Sequence, residues 1–237
     1  MKAAALVSAC CALLFALPAS ADSPGVVHAK TGAGLYAANC ARCHGPNGEG
    51  SIGPTLKGVG ALAADFYLRT GRMPLGKVGQ QPESSRVLFT QRELQELIRY
   101  VASFGGPPVP TPRPERGNLA EGLKLYTDHC AGCHQVAAEG GFVTGARVPP
   151  LEDVTPRDIA EAVRIGPYLM PAFPERTISA AQLDSIARYV EYAKHPDDRG
   201  GWAIGEVGPV PEGMVTWFIA IVALVATCLV IGRRIRA

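Results

Sequence analysis

The sequence predicts an all-α protein that consists of two similar halves and one membrane-spanning helix at the C-terminus. Three observations support this fold class. The second half repeats the first at an offset of 90 residues, so that Leu35 and Tyr36 correspond to Leu125 and Tyr126. Each half ends in an apolar stripe with helical spacing. An uncharged apolar run then covers residues 215–231, about the length needed to cross the hydrocarbon core of a bilayer.

The helix that closes each half has its own start signal. Thr90 with Glu93, and Ser179 with Gln182, form capping-box patterns that satisfy the first free backbone N–H groups of a helix. The apolar face that follows consists of Leu94, Leu97, Ile98 and Val101 in the first half and of Leu183, Ile186, Ala187 and Val190 in the second.

A tyrosine recurs in both closing helices. Tyr100, in an Arg-Tyr-Val triplet, recurs as Tyr189 at an offset of 89 residues, so insertions are expected in the middle of the halves. We expect these tyrosines to pack against Tyr36 and Tyr126, where the first and last helices of each half cross.

Residues 1–21 read as a secretory signal peptide. Lys2 precedes an apolar run that ends at Leu17, and Ala19 and Ala21 supply the small residues of a cleavage site. An uncleaved membrane anchor is the alternative, but the run is short for a span.

The C-terminal apolar run predicts a transmembrane helix over residues 214–232. Trp217 and Phe218 lie near its start, where aromatic side chains favour the membrane interface. Three arginines follow within the tail, residues 233–237, and positive charge marks the cytoplasmic side. We therefore predict a cell-membrane protein with a single span, a cytoplasmic C-terminus and an extracytoplasmic main part.

A proline-rich linker, residues 107–117, divides the outer part into domains at residues 22–106 and 118–198, and residues 199–213 link the second domain to the span. The proline density favours an extended, semi-rigid spacer. Residues 22–213 carry 19 basic and 21 acidic residues, a balance that argues against nucleic acid as a partner. The first domain has net charge +3 (9 basic, 6 acidic) and the second −5 (7 basic, 12 acidic).

Four of the seven cysteines form two identical motifs outside the membrane segment. Residues 40–44 and 130–134 both read Cys-x-x-Cys-His, the attachment site of c-type haem. Two thiols on one helical turn reach the two vinyl groups of one porphyrin, and the adjacent histidine faces the iron. A disulfide, a zinc site or chance are the alternatives, but the duplication favours haem. We predict two covalently bound haem c groups, attached through Cys40, Cys43, Cys130 and Cys133.

Each haem motif is accompanied by one methionine. Apart from Met1 and the methionine that starts the anchor, the chain has one in each half, and a proline follows each of them. Methionine opposite histidine raises the potential of a haem and fills its last coordination position. We therefore predict the axial iron ligands His44, Met73, His134 and Met170.

A proline–leucine element lies between motif and methionine in each half. A metal-bound histidine usually donates its other N–H to a carbonyl or carboxylate, which fixes the ring. The candidate carbonyls are those of Pro54 in the first half and of Pro149 or Pro150 in the second.

These elements resemble class I cytochrome c in duplicate. They are the haem motif, the Gly-Pro-x-Leu turn, the methionine and the closing helix with its tyrosine. A narrower resemblance comes from Gly-Arg-Met-Pro at residues 71–74, and from Gly-Pro-Val-Pro-Glu-Gly at residues 208–213 running straight into the span. The chain is thus similar to the dihaem cytochrome c subunit of the actinobacterial-type cytochrome bc complex, a menaquinol–cytochrome c reductase. It departs in having a signal where relatives often keep an N-terminal span.

The resemblance implies two tandem class I cytochrome c-like domains plus the C-terminal transmembrane helix. It also implies three partners, namely a Rieske iron–sulfur subunit, cytochrome b and a terminal cytochrome c oxidase. We expect the basic first domain to dock on an acidic oxidase surface through Lys57, Arg72 and Lys77.

The expected function is electron transfer in the respiratory chain, with no substrate-level catalytic residue in the chain itself. An independent membrane-anchored dihaem carrier that serves other dehydrogenases or reductases is the alternative. A dihaem peroxidase would need an open iron position, and the two methionines argue against it.

Overall fold

The computed structural model describes residues 26–196 and 209–236. The predicted signal peptide at residues 1–21 and most of the predicted linker at residues 199–213 lie outside these ranges. The elements of the described part are α1 (Gly32–Asn39), α2 (Ala41–His44), α3 (Gly60–Arg69), α4 (Gln91–Ala102), a 3-10 turn (Pro114–Arg116), α5 (Leu119–His129), α6 (Ala131–His134), β1 (Gly141–Val143), β2 (Ala146–Val148), α7 (Pro156–Ile165), α8 (Ala180–Lys194) and α9 (Pro209–Arg236).

Each half has its own hydrophobic core, and the predicted two-part helical fold is confirmed. In the first half α1 and α3 pack on the closing helix α4, and in the second half α5 and α7 pack on α8. Both capping boxes predicted for α4 and α8 are present. The apolar faces of these helices supply the centre of each core, including Leu94, Leu97, Ile186 and Val190, all at most 1% exposed.

The four repeated tyrosines meet as predicted, where the first and last helices of each half cross. The ring centroids of Tyr36 and Tyr100 lie 5.2 Å apart, and those of Tyr126 and Tyr189 lie 5.0 Å apart. Such tilted aromatic pairs add to the stabilisation that burial of the rings provides. The crossing therefore has the same construction in both halves.

A glycine makes each helix crossing close. A Cβ on Gly32 would collide with the main-chain carbonyl of Glu96, and a Cβ on Gly122 would collide with that of Ser185. The two glycines are themselves related by the offset of 90 residues. They let the backbones of the first and last helices approach to a distance that no other residue permits.

The second half contains a β-hairpin that the sequence did not predict. Strands β1 and β2 pair antiparallel, with Phe142 opposite Arg147. The hairpin fills the variable middle in which the drifting offset had indicated an insertion. Phe142 is 84% exposed, and the strands are only three residues each, so no amphipathic pattern marked them in the sequence.

The proline-rich linker is attached to both halves. At its start the N–H of Leu62, in α3, donates to the carbonyl of Pro107 at 3.2 Å. At its end the N–H of Arg113 donates to the Asp184 carboxylate at 2.7 Å, and the Arg188 guanidinium donates to the carbonyl of Gly117 at 2.6 Å. The linker thus runs from α3 of the first half to α8 of the second.

The two halves also contact each other directly, because α3 packs against α7. The side-chain amide of Gln81 adds hydrogen bonds to the main chain of Arg147 in β2. The haem motifs are therefore carried on two cores that share an interface.

The C-terminal helix α9 agrees with the predicted span. One stretch, Gly213–Ile235, has the length and apolar composition needed to cross a membrane, and its most apolar window contains no buried residue. Trp217 and Phe218 are 71% and 70% exposed. This surface fits a lipid-facing membrane anchor.

Candidate haem-binding sites

The two Cys-x-x-Cys-His motifs fold into the same helical turn. In the first, the N–H groups of Cys43 and His44 donate to the carbonyl of Cys40 at 3.1 and 3.0 Å. The corresponding distances to the carbonyl of Cys130 in the second motif are 3.1 and 2.9 Å. Both thiols and the imidazole of each motif therefore leave the chain within one turn, as attachment to a single porphyrin requires.

A proline carbonyl orients the histidine of each motif. Nδ1 of His44 lies 2.8 Å from the carbonyl oxygen of Pro54, and Nδ1 of His134 lies 3.2 Å from that of Pro149. Because a carbonyl only accepts, Nδ1 carries the hydrogen, and Nε2 keeps its lone pair for a metal. The expectation for Pro54 is confirmed, and of the two candidates in the second half it is Pro149 that makes the contact.

The loop between motif and proline closes in the same way in both halves. The N–H of Leu56 donates to the carbonyl of Gly48 at 2.8 Å, and the N–H of Leu151 donates to that of Ala138 at 2.9 Å. The histidine and its proline are 10 residues apart in the first half and 15 in the second. The five extra residues form part of the β-hairpin and leave the histidine contact intact.

Gly53 was not singled out from the sequence, although it belongs to the Gly-Pro-x-Leu turn. A Cβ at this position would lie 3.0 Å from Cε1 and 3.1 Å from Nδ1 of His44. Its N–H donates to the carbonyl of Cys43 at 2.7 Å, which draws the turn onto the haem motif. The glycine thus makes room for the imidazole beside the Pro54 carbonyl.

Burial sets the protonation of the leading thiols. It raises the pKa of Cys40 and of Cys130 to about 11, and the second thiol of each motif adds to the effect. Burial also lowers the pKa of His134, against the opposing hydrogen bond to Pro149. The ring of His134 therefore favours its neutral form. None of the five cysteines in the described residues is in a disulfide.

Both candidate methionines lie against the core that carries the motif of their own half. Met73 packs on the same cluster as Cys40, and Met170 packs on the same cluster as Cys130. Their main-chain N–H groups are held at 3.0 Å by the carbonyls of Tyr67 and Pro167, respectively. Each methionine therefore lies on the core that also carries the haem motif of its half, and its role as an axial iron ligand stays a prediction.

Two of the remaining histidines are engaged elsewhere. His129 is exposed, and its ring centroid lies 5.7 Å from that of Phe173. His28 contacts the carboxylate of Glu93 at 2.8 Å.

Comparison with known proteins finds the same family model in both halves of the chain. The family model for cytochrome c oxidase, cbb3-type, subunit III matches the chain twice, over residues 27–101 and 117–190. The cytochrome bc1 complex cytochrome c subunit of Mycobacterium bovis is 34% identical over 228 residues, which cover 91% of this chain and 81% of the relative. The subunit of the same name from Corynebacterium diphtheriae is 33% identical and covers 86% of this chain and 80% of the relative.

A cbb3-type cytochrome c oxidase subunit CcoP from an Azospirillum species is similar over a smaller part. It is 30% identical over 183 residues, which cover 67% of this chain and 60% of the relative. The similarity to the bc1 subunits, in contrast, extends over nearly the whole chain. The chain therefore belongs to the family of cytochrome c subunits of the cytochrome bc1 complex, which are electron carriers with covalently bound haem c in respiratory complexes.

Proposed function

We propose that this chain is a membrane-anchored dihaem cytochrome c that passes electrons from a quinol-oxidising assembly of cytochrome b and a Rieske subunit to a terminal cytochrome c oxidase. The observation that carries the proposal is the duplicated histidine arrangement. His44 and His134 each sit on a Cys-x-x-Cys-His turn with Nδ1 at a proline carbonyl and Nε2 left for a metal.

Each half supplies a full set of attachment and axial groups for one haem c. Cys40 and Cys43 would hold the first haem by thioether bonds and Cys130 and Cys133 the second. The axial ligands would be His44 with Met73 and His134 with Met170. Bound haem iron would supply a one-electron redox couple. A methionine ligand opposite the histidine raises the reduction potential of that couple.

The named complexes of the relatives support the choice of partners. Relatives that are named as subunits of a cytochrome bc1 complex match most of this chain, and a subunit of a cbb3-type oxidase matches two thirds of it. The span in α9 would fix the haem domains at the membrane. The arginines at positions 233, 234 and 236 favour a cytoplasmic tail, which supports an extracytoplasmic side for the haem domains.

The charges of the first domain support docking on an acidic partner, but not through all three residues expected from the sequence. Lys57 and Lys77 are exposed and available for steering. The guanidinium of Arg72 instead lies over the ring of Phe66, 4.7 Å from its centroid, and burial lowers its pKa. We assign the docking role to the two lysines.

Counting haems tests the duplication. The holoprotein should contain two covalently bound haems per chain by haemochrome absorbance. The double variants C40A/C43A and C130A/C133A should each retain one. A wild-type protein with one haem, or either double variant with two, would contradict the proposal.

Purification in mild detergent tests the partners. Co-migration with cytochrome b and Rieske subunits, and quinol-dependent reduction of the oxidase, support the proposed relay. Isolation of a free protein that accepts electrons from unrelated dehydrogenases would favour the independent carrier. Rapid catalytic peroxide turnover would favour a peroxidase and contradict the assignment of both methionines.

Charge reversal tests the docking surface separately. The variant K57E/K77E should slow oxidase reduction at low salt and lose that defect at high salt, because screening removes the steering. R72E should not mimic this salt dependence. Unchanged oxidase turnover in K57E/K77E at low salt would exclude these lysines.

A further inference from the structure

Two acidic side chains from different halves are buried against each other where α3 meets α7. Asp65, on α3, is 4% exposed, and Glu161, on α7, is fully buried at 0%. Acidic residues are almost never buried so completely unless they are paired. Neither residue belongs to a haem motif, so the pair needs an explanation of its own.

Three of the four carboxyl oxygens of this pair have no hydrogen-bond donor. Oδ1 of Asp65 accepts from Nε of Arg69 at 2.7 Å, but Oδ2 of Asp65 and both carboxyl oxygens of Glu161 are buried without a donor. Among the described residues these are three of the four buried side-chain oxygens or nitrogens without a partner. A buried charged group without a hydrogen-bond partner costs free energy. Binding of one proton would remove a charge from the pair and supply the missing donor.

The cations near the pair lie on the Asp65 side. Arg69 binds Asp65 directly, and its Nη1 also donates to Gln91 of α4 at 2.7 Å. Nη1 of Arg157, on α7, lies 3.9 Å from Oδ2 of Asp65, within reach of its charge but too far for a hydrogen bond. This asymmetry leaves Glu161 as the member of the pair that takes up the proton.

The other charged groups that face the pair do not neutralise Glu161. Asp158, one turn earlier on α7, is held by Thr155 in the capping box and adds negative charge. Arg72 faces Asp158 while it stacks on Phe66. Burial is the largest cause that raises the pKa of Glu161, to about 9, followed by Asp65; Arg157 only partly opposes them.

We propose that Asp65 and Glu161 hold one proton between them, which makes the contact between the two halves a proton-binding site. The protonated carboxyl of Glu161 donates to Oδ2 of Asp65, and the Asp65 carboxylate stays anchored by Arg69. The proton comes from solvent when the two helices pack and returns to solvent when they separate.

The site makes the contact sensitive to pH in a defined direction. The packed state binds a proton that the separated or unfolded state has already lost between pH 4.5, the ordinary value for Glu161, and about pH 9. The contribution to stability is therefore full below pH 4.5, falls as the pH rises toward about 9, and stays constant above it. One proton changes the unfolding equilibrium by at most about tenfold per pH unit.

Infrared spectroscopy of the full-length holoprotein in detergent tests the proton directly. The carbonyl stretch of a buried protonated carboxylic acid should be present at pH 7 and should disappear near pH 9. It should be absent in Glu161→Gln, which keeps the shape and a donor toward Asp65. In Asp65→Asn the band should disappear at a lower pH than in the wild type, because the negative charge of Asp65 no longer opposes ionisation of Glu161.

Denaturant unfolding from pH 5 to pH 10 tests whether proton binding by this pair contributes to stability. Relative to Glu161→Gln, the wild type should lose stability progressively up to about pH 9. The exposed carboxyl variant Glu175→Gln is the matched control and should follow the wild type in both experiments. Unchanged haem absorbance of the variants shows that they fold.

Two results would overturn the proposal. One is a wild-type spectrum without a protonated carboxyl at pH 7, which means that both groups are ionised and held by the arginines or by a bound cation. The other is a pH dependence of unfolding that is identical in the wild type and Glu161→Gln. If Glu161→Gln fails to fold, Asp65→Asn decides the same question.

Discussion

The side-chain amide of Gln81 binds both main-chain groups of Arg147 and so connects the two halves of the molecule. Its Nε2 donates to the Arg147 carbonyl at 3.0 Å, and its Oε1 accepts from the Arg147 N–H at 3.4 Å. Gln81 lies in the segment after the first candidate methionine, whereas Arg147 lies in the hairpin that only the second half possesses. The hairpin inserted in the second half thus contacts the segment that joins α3 to α4 in the first half.

The variant Gln81→Ala should loosen this connection. The amide of Arg147 should exchange its hydrogen faster, because it loses its acceptor, and stability should fall by about 0.5–1.5 kcal/mol. Hydrogen exchange and denaturant unfolding measure the two effects. The variant Gln95→Ala, on the exposed face of α4, is the control. Unaltered exchange at Arg147 would mean that the contact does not persist in solution.

The repeated tyrosines should respond differently to loss of their hydroxyl groups. The hydroxyl of Tyr36 donates to the carbonyl of Gly45 at 2.7 Å, and that of Tyr189 donates to the carbonyl of Val136 at 2.7 Å. The hydroxyl of Tyr126 is buried without a partner. Tyr36→Phe and Tyr189→Phe should therefore each cost about 1 kcal/mol in unfolding free energy, whereas Tyr126→Phe should be neutral or stabilising.

Denaturation of the holoprotein provides the comparison. Because Tyr36 and Tyr126 occupy equivalent places in the two halves, each variant serves as the control for the other. A cost for Tyr126→Phe as large as that for Tyr36→Phe would show that the Tyr126 hydroxyl finds a partner once the haem is bound.

The two crossing glycines should tolerate no side chain. Gly32→Ala and Gly122→Ala would each place a Cβ against a main-chain carbonyl, that of Glu96 or of Ser185. Main chain cannot yield as a flexible side chain does, so we expect a loss of about 1–3 kcal/mol in unfolding free energy. A thermal unfolding scan of each variant measures the loss.

Gly34→Ala is the matched substitution in the same helix as Gly32. Its Cβ would meet only side-chain atoms, Oγ1 of Thr31 at 3.2 Å and Cβ of Ala29 at 3.3 Å. The gain in helix propensity, up to about 1 kcal/mol, offsets this crowding. Equal losses for Gly34→Ala and Gly32→Ala would argue against close helix approach as the reason for the glycine.

Gly53→Ala should disturb the first haem site without disturbing the second. The added Cβ would press on the His44 imidazole, move it from the carbonyl of Pro54 and weaken its alignment with the iron. We expect a shifted reduction potential, or reduced haem content, confined to one of the two proposed haems in a spectroelectrochemical titration. The variant Gly76→Ala, whose Cβ would have a single neighbour at 3.6 Å, should leave both potentials unchanged.

The sequence alone determined the elements that rest on local patterns. The capping boxes at Thr90 and Ser179, the repeat of Tyr36 as Tyr126, and the apolar stretch of α9 are all short-range or periodic signals. The same is true of the haem motifs, because three reactive side chains must leave one helical turn together. The sequence also left only a few candidates for the carbonyl that accepts from each histidine, because the chain must return to the imidazole ring within a short loop.

Only the tertiary structure decided what depends on contacts between distant segments. It selected Pro149 over Pro150, because the hairpin sets where the longer loop returns to His134. It showed that the guanidinium of Arg72 lies over the ring of Phe66. The burial of Asp65 against Glu161 arises from packing between the two halves, and nothing in either local sequence marks it. Local backbone preferences act within a few residues, whereas burial and protonation are set by neighbours that the fold brings from elsewhere in the chain.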